Sequence, residues 1–110
     1  MDKKLVYLES PFAGDVEKNL EYCRAAMADC LKRGEAPFAS HALYTQPGVL
    51  NDEVPGERLL GIESGFAWGA FADRTVVYVD RGVSRGMVEG ILDAQAHGRP
   101  VEFRRLPGWG

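Results

Sequence analysis

Residues 76–96 read VVYVDRGVSRGMVEGILDAQA, and this stretch decides the fold. Val76, Val77, Tyr78 and Val79 make a short apolar run of the kind found in buried strands. Met87, Ile91 and Ala94 then recur at helical spacing until Gly98 ends the pattern. Between the two lies a loop with Gly82, Ser84 and Gly86, so a helix begins just beyond a strand end. In an open α/β sheet that is where ligands bind. A hydroxyl and glycines at a helix N-terminus suit an anion, because the unpaired N–H groups and the helix dipole favour negative charge. The same residues also make an ordinary N-cap serine with turn glycines. Both readings stand at this point.

Upstream the alternation repeats. Leu5, Val6, Tyr7 and Leu8 form a first strand that stops at Ser10-Pro11, and the loop SPFAGD follows. Asp15 is a good N-cap, and Val16, Leu20, Cys23, Met27, Cys30 and Leu31 lay a one-face helical stripe that Gly34 closes. A very short second strand is expected at 36–39, and residues 41–55 read as a long connecting loop. Residues 56–72 have helical periodicity at Leu59, Ile62, Phe66 and Ala70, and Leu60, Ala67, Trp68 and Phe71 widen the apolar surface. That width predicts a symmetric homodimer, unless Trp68 simply caps the core. Strands at 75–79 and 100–104 complete a βαβαβαβ order. This order predicts a single three-layer α/β domain over residues 1–110, a Rossmann/flavodoxin-like parallel sheet with right-handed crossovers. Strand order 2-1-3-4 would set the SPFAGD and GVSRGM loops on either side of one crevice.

Composition narrows the function. With 110 residues, 45% apolar and 26% charged, the chain is that of an ordinary globular domain. A net charge of −3 argues against binding polymeric nucleic acid. No apolar run approaches a membrane span, and the N-terminal residues lack a signal-peptide core, so a cytoplasmic protein is expected. Cys23 and Cys30 sit two helical turns apart, about 10.5 Å along the axis and too far to bridge, so both read as reduced buried thiols. No metal-ligand spacing or cofactor motif is present in the sequence.

The segments YLESPFAGD, PFASHALYTQ, GERLLGIESG and GVSRGMVEGILDAQAHGRPVEF together resemble small bacterial and phage proteins of the nucleoside 2-deoxyribosyltransferase-like superfamily, in its domain-of-unknown-function branches. The resemblance runs from Leu5 to about Arg104. It implies that Tyr7, Ser10, Pro11, Phe12 and Gly14 line a sugar and base pocket. It further implies that Ser84 and Gly86 hold a 5′-phosphate, with Met87 in the same motif. His41, beyond the second strand, and Asp52, in the long loop, are candidates for contacting base or sugar. The implied partner is a nucleoside or nucleoside monophosphate.

One departure matters. The resemblance puts a nucleophilic glutamate at position 90, and this chain has Gly90 there. Glu89 is the nearest carboxylate and the candidate catalytic residue, but one residue along a helix is about 100° of rotation. Gly90 within a helix costs about 1 kcal/mol relative to alanine, a sign of close packing. Two functions stay open: an enzyme acting on the N-glycosidic bond by hydrolysis or transfer, and a nucleotide binder, sensor or sequestering protein, without that chemistry.

Overall fold

The structure, a computed structural model, describes residues 3–109. Four parallel strands, β1 (Lys4–Glu9), β2 (Glu35–Phe38), β3 (Arg74–Tyr78) and β4 (Val101–Arg104), pair in the order β2-β1-β3-β4, as expected. Tyr7 lies opposite Phe38 on one side and Thr75 on the other. The strand order therefore reverses between β1 and β3, and the loops leaving those strands face one another.

Alternation along β1 sorts the layers, since successive strand side chains point to opposite faces. Val6 and Leu8 join Val76 and Tyr78 in a core under α1 (Val16–Lys32). Tyr7 and Glu9 point the other way, toward α3 (Pro55–Gly69) and α4 (Arg85–Ala96). The Asp15 side chain accepts from Lys18 N at the start of α1, and Gly34 follows its end with φ +83°. Both thiols are free and buried.

Two local expectations need correction. The buried face of α1 runs through Asn19, Tyr22, Cys23, Ala26 and Cys30, while Val16 and Leu31 are exposed. Tyr22 sets that register: its hydroxyl donates to Asp80 Oδ2 at 2.7 Å and accepts from Asp80 N at 2.9 Å, so a polar-tipped residue is buried where an aliphatic stripe was expected. Residues 41–55 are not one loop, because Ser40–Leu43 forms a short helix, α2, with Tyr44 N bonded to Ser40 O. Its buried Ser40 is anchored by Tyr7, an interaction between residues far apart in sequence. The chain after β4 also packs back onto the core. Leu106 is buried, and Trp109 lies against Tyr22 with ring centroids 5.0 Å apart.

Below the sheet's centre, Arg104 donates to both carboxylate oxygens of Glu35 at 2.7 Å, to Glu102 at 2.6 Å and to the Tyr78 hydroxyl at 3.2 Å. The Tyr78 hydroxyl in turn donates to Asp29 at 2.6 Å. The pairing joins β4 to the start of β2, the two edges of the sheet. Hydrogen bonds from Arg104 hold the Glu35 carboxyl below its ordinary range. Arg104→Met should therefore cost roughly 3–5 kcal/mol in urea unfolding, because Glu35 is left buried without a partner. Arg104→Met combined with Glu35→Gln should recover much of that loss.

Candidate functional site

The loops leaving β1 and β3, together with α2 and α3, enclose a cavity of about 170 Å³ at the C-terminal ends of the strands. That is room for several waters or for a group the size of one ring. Past Phe12, Asp52 and Glu57 it continues into an open groove of about 620 Å³. Of the residues singled out in the sequence, Tyr7, Ser10, Phe12, His41, Asp52, Ser84, Gly86 and Met87 all line this one cavity. Gly14 lines the outer groove, and Pro11 is not among the lining residues of either. Glu89 lies outside the cavity. It borders a separate surface depression with Asp52, Arg58, Leu59 and Phe66.

Local chemistry explains each placement. Ser84 is the N-cap of α4 and its hydroxyl accepts from Met87 N at 3.4 Å, a long bond that leaves the oxygen open to other donors. Met87 is buried beneath it. Ser10 Oγ bonds His41 Nε2 at 2.7 Å, tying the β1 loop to α2. Burial pushes His41 down to about 4, so the ring is neutral near pH 7. The Tyr7 hydroxyl bonds Ser40 Oγ at 2.7 Å, and burial followed by the Glu9 charge pushes its acidity well below that of free tyrosine.

Two contributors to the cavity were not legible as site residues. Arg58 reads in sequence as a first-turn helix residue, yet the fold carries it across to α4. Its Nη2 lies 3.7 Å from where a Cβ on Gly86 would be, and its Nε sits 3.8 Å from Asp52 Oδ1. Glu9 reads as the last residue of a buried strand. Its side chain packs onto Gly90: a Cβ there would overlap Glu9 Oε2 and lie 2.5 Å from Glu9 Cδ. The close packing implied by a helical glycine is thus the approach of a carboxyl group. The only advance signal was an acidic residue ending an apolar run at a strand's C-terminal end.

Charge around Glu9 is unbalanced. Burial raises it first, Arg99 lowers it, and Asp93 and Glu89 raise it further, with the result pushed up to about 8. Arg99 itself is committed to Thr75 Oγ1, Gly69 O and Asp93 Oδ2 at 2.8–3.0 Å. Among the described residues no helix is long and apolar enough to cross a membrane, and no acidic, His or Cys cluster is arranged to hold a metal ion.

Fold and site define an open, doubly wound α/β domain with its cleft at the topological switch point. The chain belongs to the family described as a domain of unknown function, DUF7768, whose pattern matches residues 4–104. No curated protein matches it. Among solved structures it is similar in fold to the 2-deoxyribosyltransferase of the psychrotolerant bacterium Bacillus psychrosaccharolyticus, with a TM-score of 0.65 and 20% identity over 94% of this chain and 74% of that one.

Glu9 offers a direct check of the buried acid. In the folded protein it keeps its proton up to about pH 8, whereas the unfolded chain releases it near 4.5. Between these values the folded state binds more protons, so stability falls as pH rises. Unfolding free energy measured against pH should decline by a few kcal/mol across that window relative to Glu9→Gln, and run parallel to it above and below.

Proposed function

We propose that the cavity and the open groove beyond it together bind a nucleoside monophosphate, with base and sugar among Tyr7, Phe12, His41 and Asp52 and the phosphate at the start of α4. The observation that carries this reading is the approach of Arg58 to Gly86, with Ser84 lining the same aromatic-walled cavity. A helix start alone attracts anions weakly. A guanidinium over the same spot adds the charge-assisted donors that planar phosphate recognition uses. Phe12, Tyr44 and Phe66 supply apolar walls for a base, and Asp52 an acceptor at the mouth. The likeness in fold to a 2-deoxyribosyltransferase supports a nucleoside ligand in particular.

Thermal shift and titration calorimetry with a panel of nucleosides and their 5′-monophosphates test the assignment. Arg58→Ala should weaken the preferred monophosphate by about 10–100-fold, the value of one or two hydrogen bonds to a charged group, and leave the nucleoside nearly unchanged. Ser84→Ala should do the same to a smaller degree. Equal losses for both ligand types would move the phosphate elsewhere. Silence across the panel would end the nucleotide reading.

A second copy of the chain is proposed as the cover for α3. Leu59, Leu60 and Trp68 on that helix and Phe71 just beyond it are each more than half exposed, and Trp68 remains 59% exposed even while stacked on Phe38. Light scattering should give the mass of a dimer for the wild-type protein and of a monomer for Leu60→Glu/Phe71→Glu. A wild-type monomer at high concentration would remove this part of the proposal.

A further inference from the structure

Both loops of the cleft are tied to one buried side chain of α1. Asn19 is 5% exposed and is not among the residues that line the cavity. Its Nδ2 donates to Phe12 O at 3.0 Å and to Ala13 O at 3.1 Å, in the loop that leaves β1. Its Oδ1 accepts from Arg81 Nε at 2.8 Å, in the loop that leaves β3. The partners leave one orientation for the amide, because carbonyls only accept and a guanidinium only donates. None of the three partners depends on it for hydrogen bonding. Ala13 and Arg81 are exposed and Phe12 is half-buried, so water would serve them. What the buried amide adds is a fixed span between the two loops. Arg81 also follows Asp80, whose carboxylate accepts from Tyr22 of α1 and from Leu106 N. The helix α1 therefore holds the β3 loop at two successive residues and the β1 loop at two more.

Resting on the nucleotide reading of the cavity, we propose that Asn19 is a positioning residue that couples its two ends. Phe12 and Ala13 line the cavity from the β1 side, and Ser84 and Gly86 line it from the β3 side. Asn19 touches neither the cavity nor its ligand. It sets the distance between the wall at Phe12, which meets the base, and the start of α4, which meets the phosphate. A nucleoside monophosphate carries both groups on one short tether. Once one end is bound, the other is presented to its own subsite at a high effective concentration, provided the two subsites stand the right distance apart. Loops that wander by an ångström keep each subsite and lose that gain. The coupling runs in series, from the β1 loop through the Asn19 amide to Arg81, so breaking either arm breaks it.

The test compares wild type, Asn19→Leu, Arg81→Met and the double variant. For each, calorimetry and competition give the affinity for the tightest-binding ribonucleoside or deoxyribonucleoside 5′-monophosphate, for its nucleoside and for inorganic phosphate. The quantity read is the advantage of the monophosphate over its two parts taken separately. Asn19→Leu should cut that advantage about 10-fold, with nucleoside and phosphate each held within about 3-fold. Arg81→Met, at an exposed position, should cut it equally, because any effect of the lost charge also appears with inorganic phosphate and cancels. The double variant should lose no more than either single one, whereas independent structural defects would add. Without ligand, amide hydrogen exchange in Asn19→Leu should run several-fold faster in both residues 12–15 and residues 80–84, and in Arg81→Met in the second segment. An undiminished advantage in either single variant, losses that add in the double, or wild-type exchange in either loop of Asn19→Leu would overturn the positioning role and leave the nucleotide reading in place. If Asn19→Leu does not fold, Arg81→Met alone decides, on the same advantage. No binding of any monophosphate by wild type would overturn both readings.

Discussion

The packing between β1 and the two helices above it sets the terms for everything else in the site. On its upper face β1 presents Tyr7 and Glu9, a large ring and a carboxyl group, where a sheet of this kind usually offers aliphatic side chains to its covering helices. The helices meet them with glycine. A Cβ on Gly65 would lie 2.5 Å from the Tyr7 hydroxyl and 2.7 Å from Ser40 Cβ, and one on Gly69 would touch the Tyr7 ring. Gly90 does the same for Glu9. Side-chain volume has moved from helix to strand, and the strand's polar groups thereby come to line a cavity instead of being covered. Glycines inside helices cost stability, so at these contacts close approach of the strand's side chains outweighs helix propensity.

That arrangement needs rigid ends, and two buried arginines supply them. Arg99 joins β3, the last carbonyl of α3 and α4 through one guanidinium, fixing both glycine-bearing helices over the sheet. Arg104 performs the corresponding task on the opposite face, between the sheet's two edges. Their planar, multi-donor geometry satisfies several acceptors at once, which a lysine in either place would not. The upper guanidinium has a further consequence. Its charge draws Glu9 toward the ionised form, but burial outweighs it and the carboxyl stays protonated near pH 7.

How much of this was legible follows from the range of the interactions involved. The strands, the helix starts and the 2-1-3-4 order rest on local periodicity, capping and a general rule of sheet topology, and they could be read from sequence. Ser84 and Gly86 could be read for the same reason, being part of a local loop signature. The short helix α2 could not, because Ser40 is held by Tyr7 from thirty-three residues away. Nor could the register of α1, which depends on Tyr22 finding Asp80. Arg58 is the clearest case: nothing in GERLLG says that its arginine will cross to Gly86, because α3 lies over the cleft through tertiary packing alone.

The same distinction bears on the missing glutamate. A motif is a statement about position in the chain, whereas a reaction needs a group at a position in space. The helix at Gly90 lacks the carboxyl that the superfamily resemblance leads one to expect there, and by motif the chemistry is gone. In space, the volume that a side chain at residue 90 would enter is filled by the carboxyl of Glu9, delivered from the neighbouring strand. A carboxyl approaching from the strand also differs in kind from one carried by the helix. It lies against the sheet, more than nine-tenths buried and next to two other acids, and so holds a proton. That environment disfavours the ionised carboxylate and favours the protonated acid. The protonation state of a carboxyl delivered from the strand thus follows from burial, before any ligand is considered.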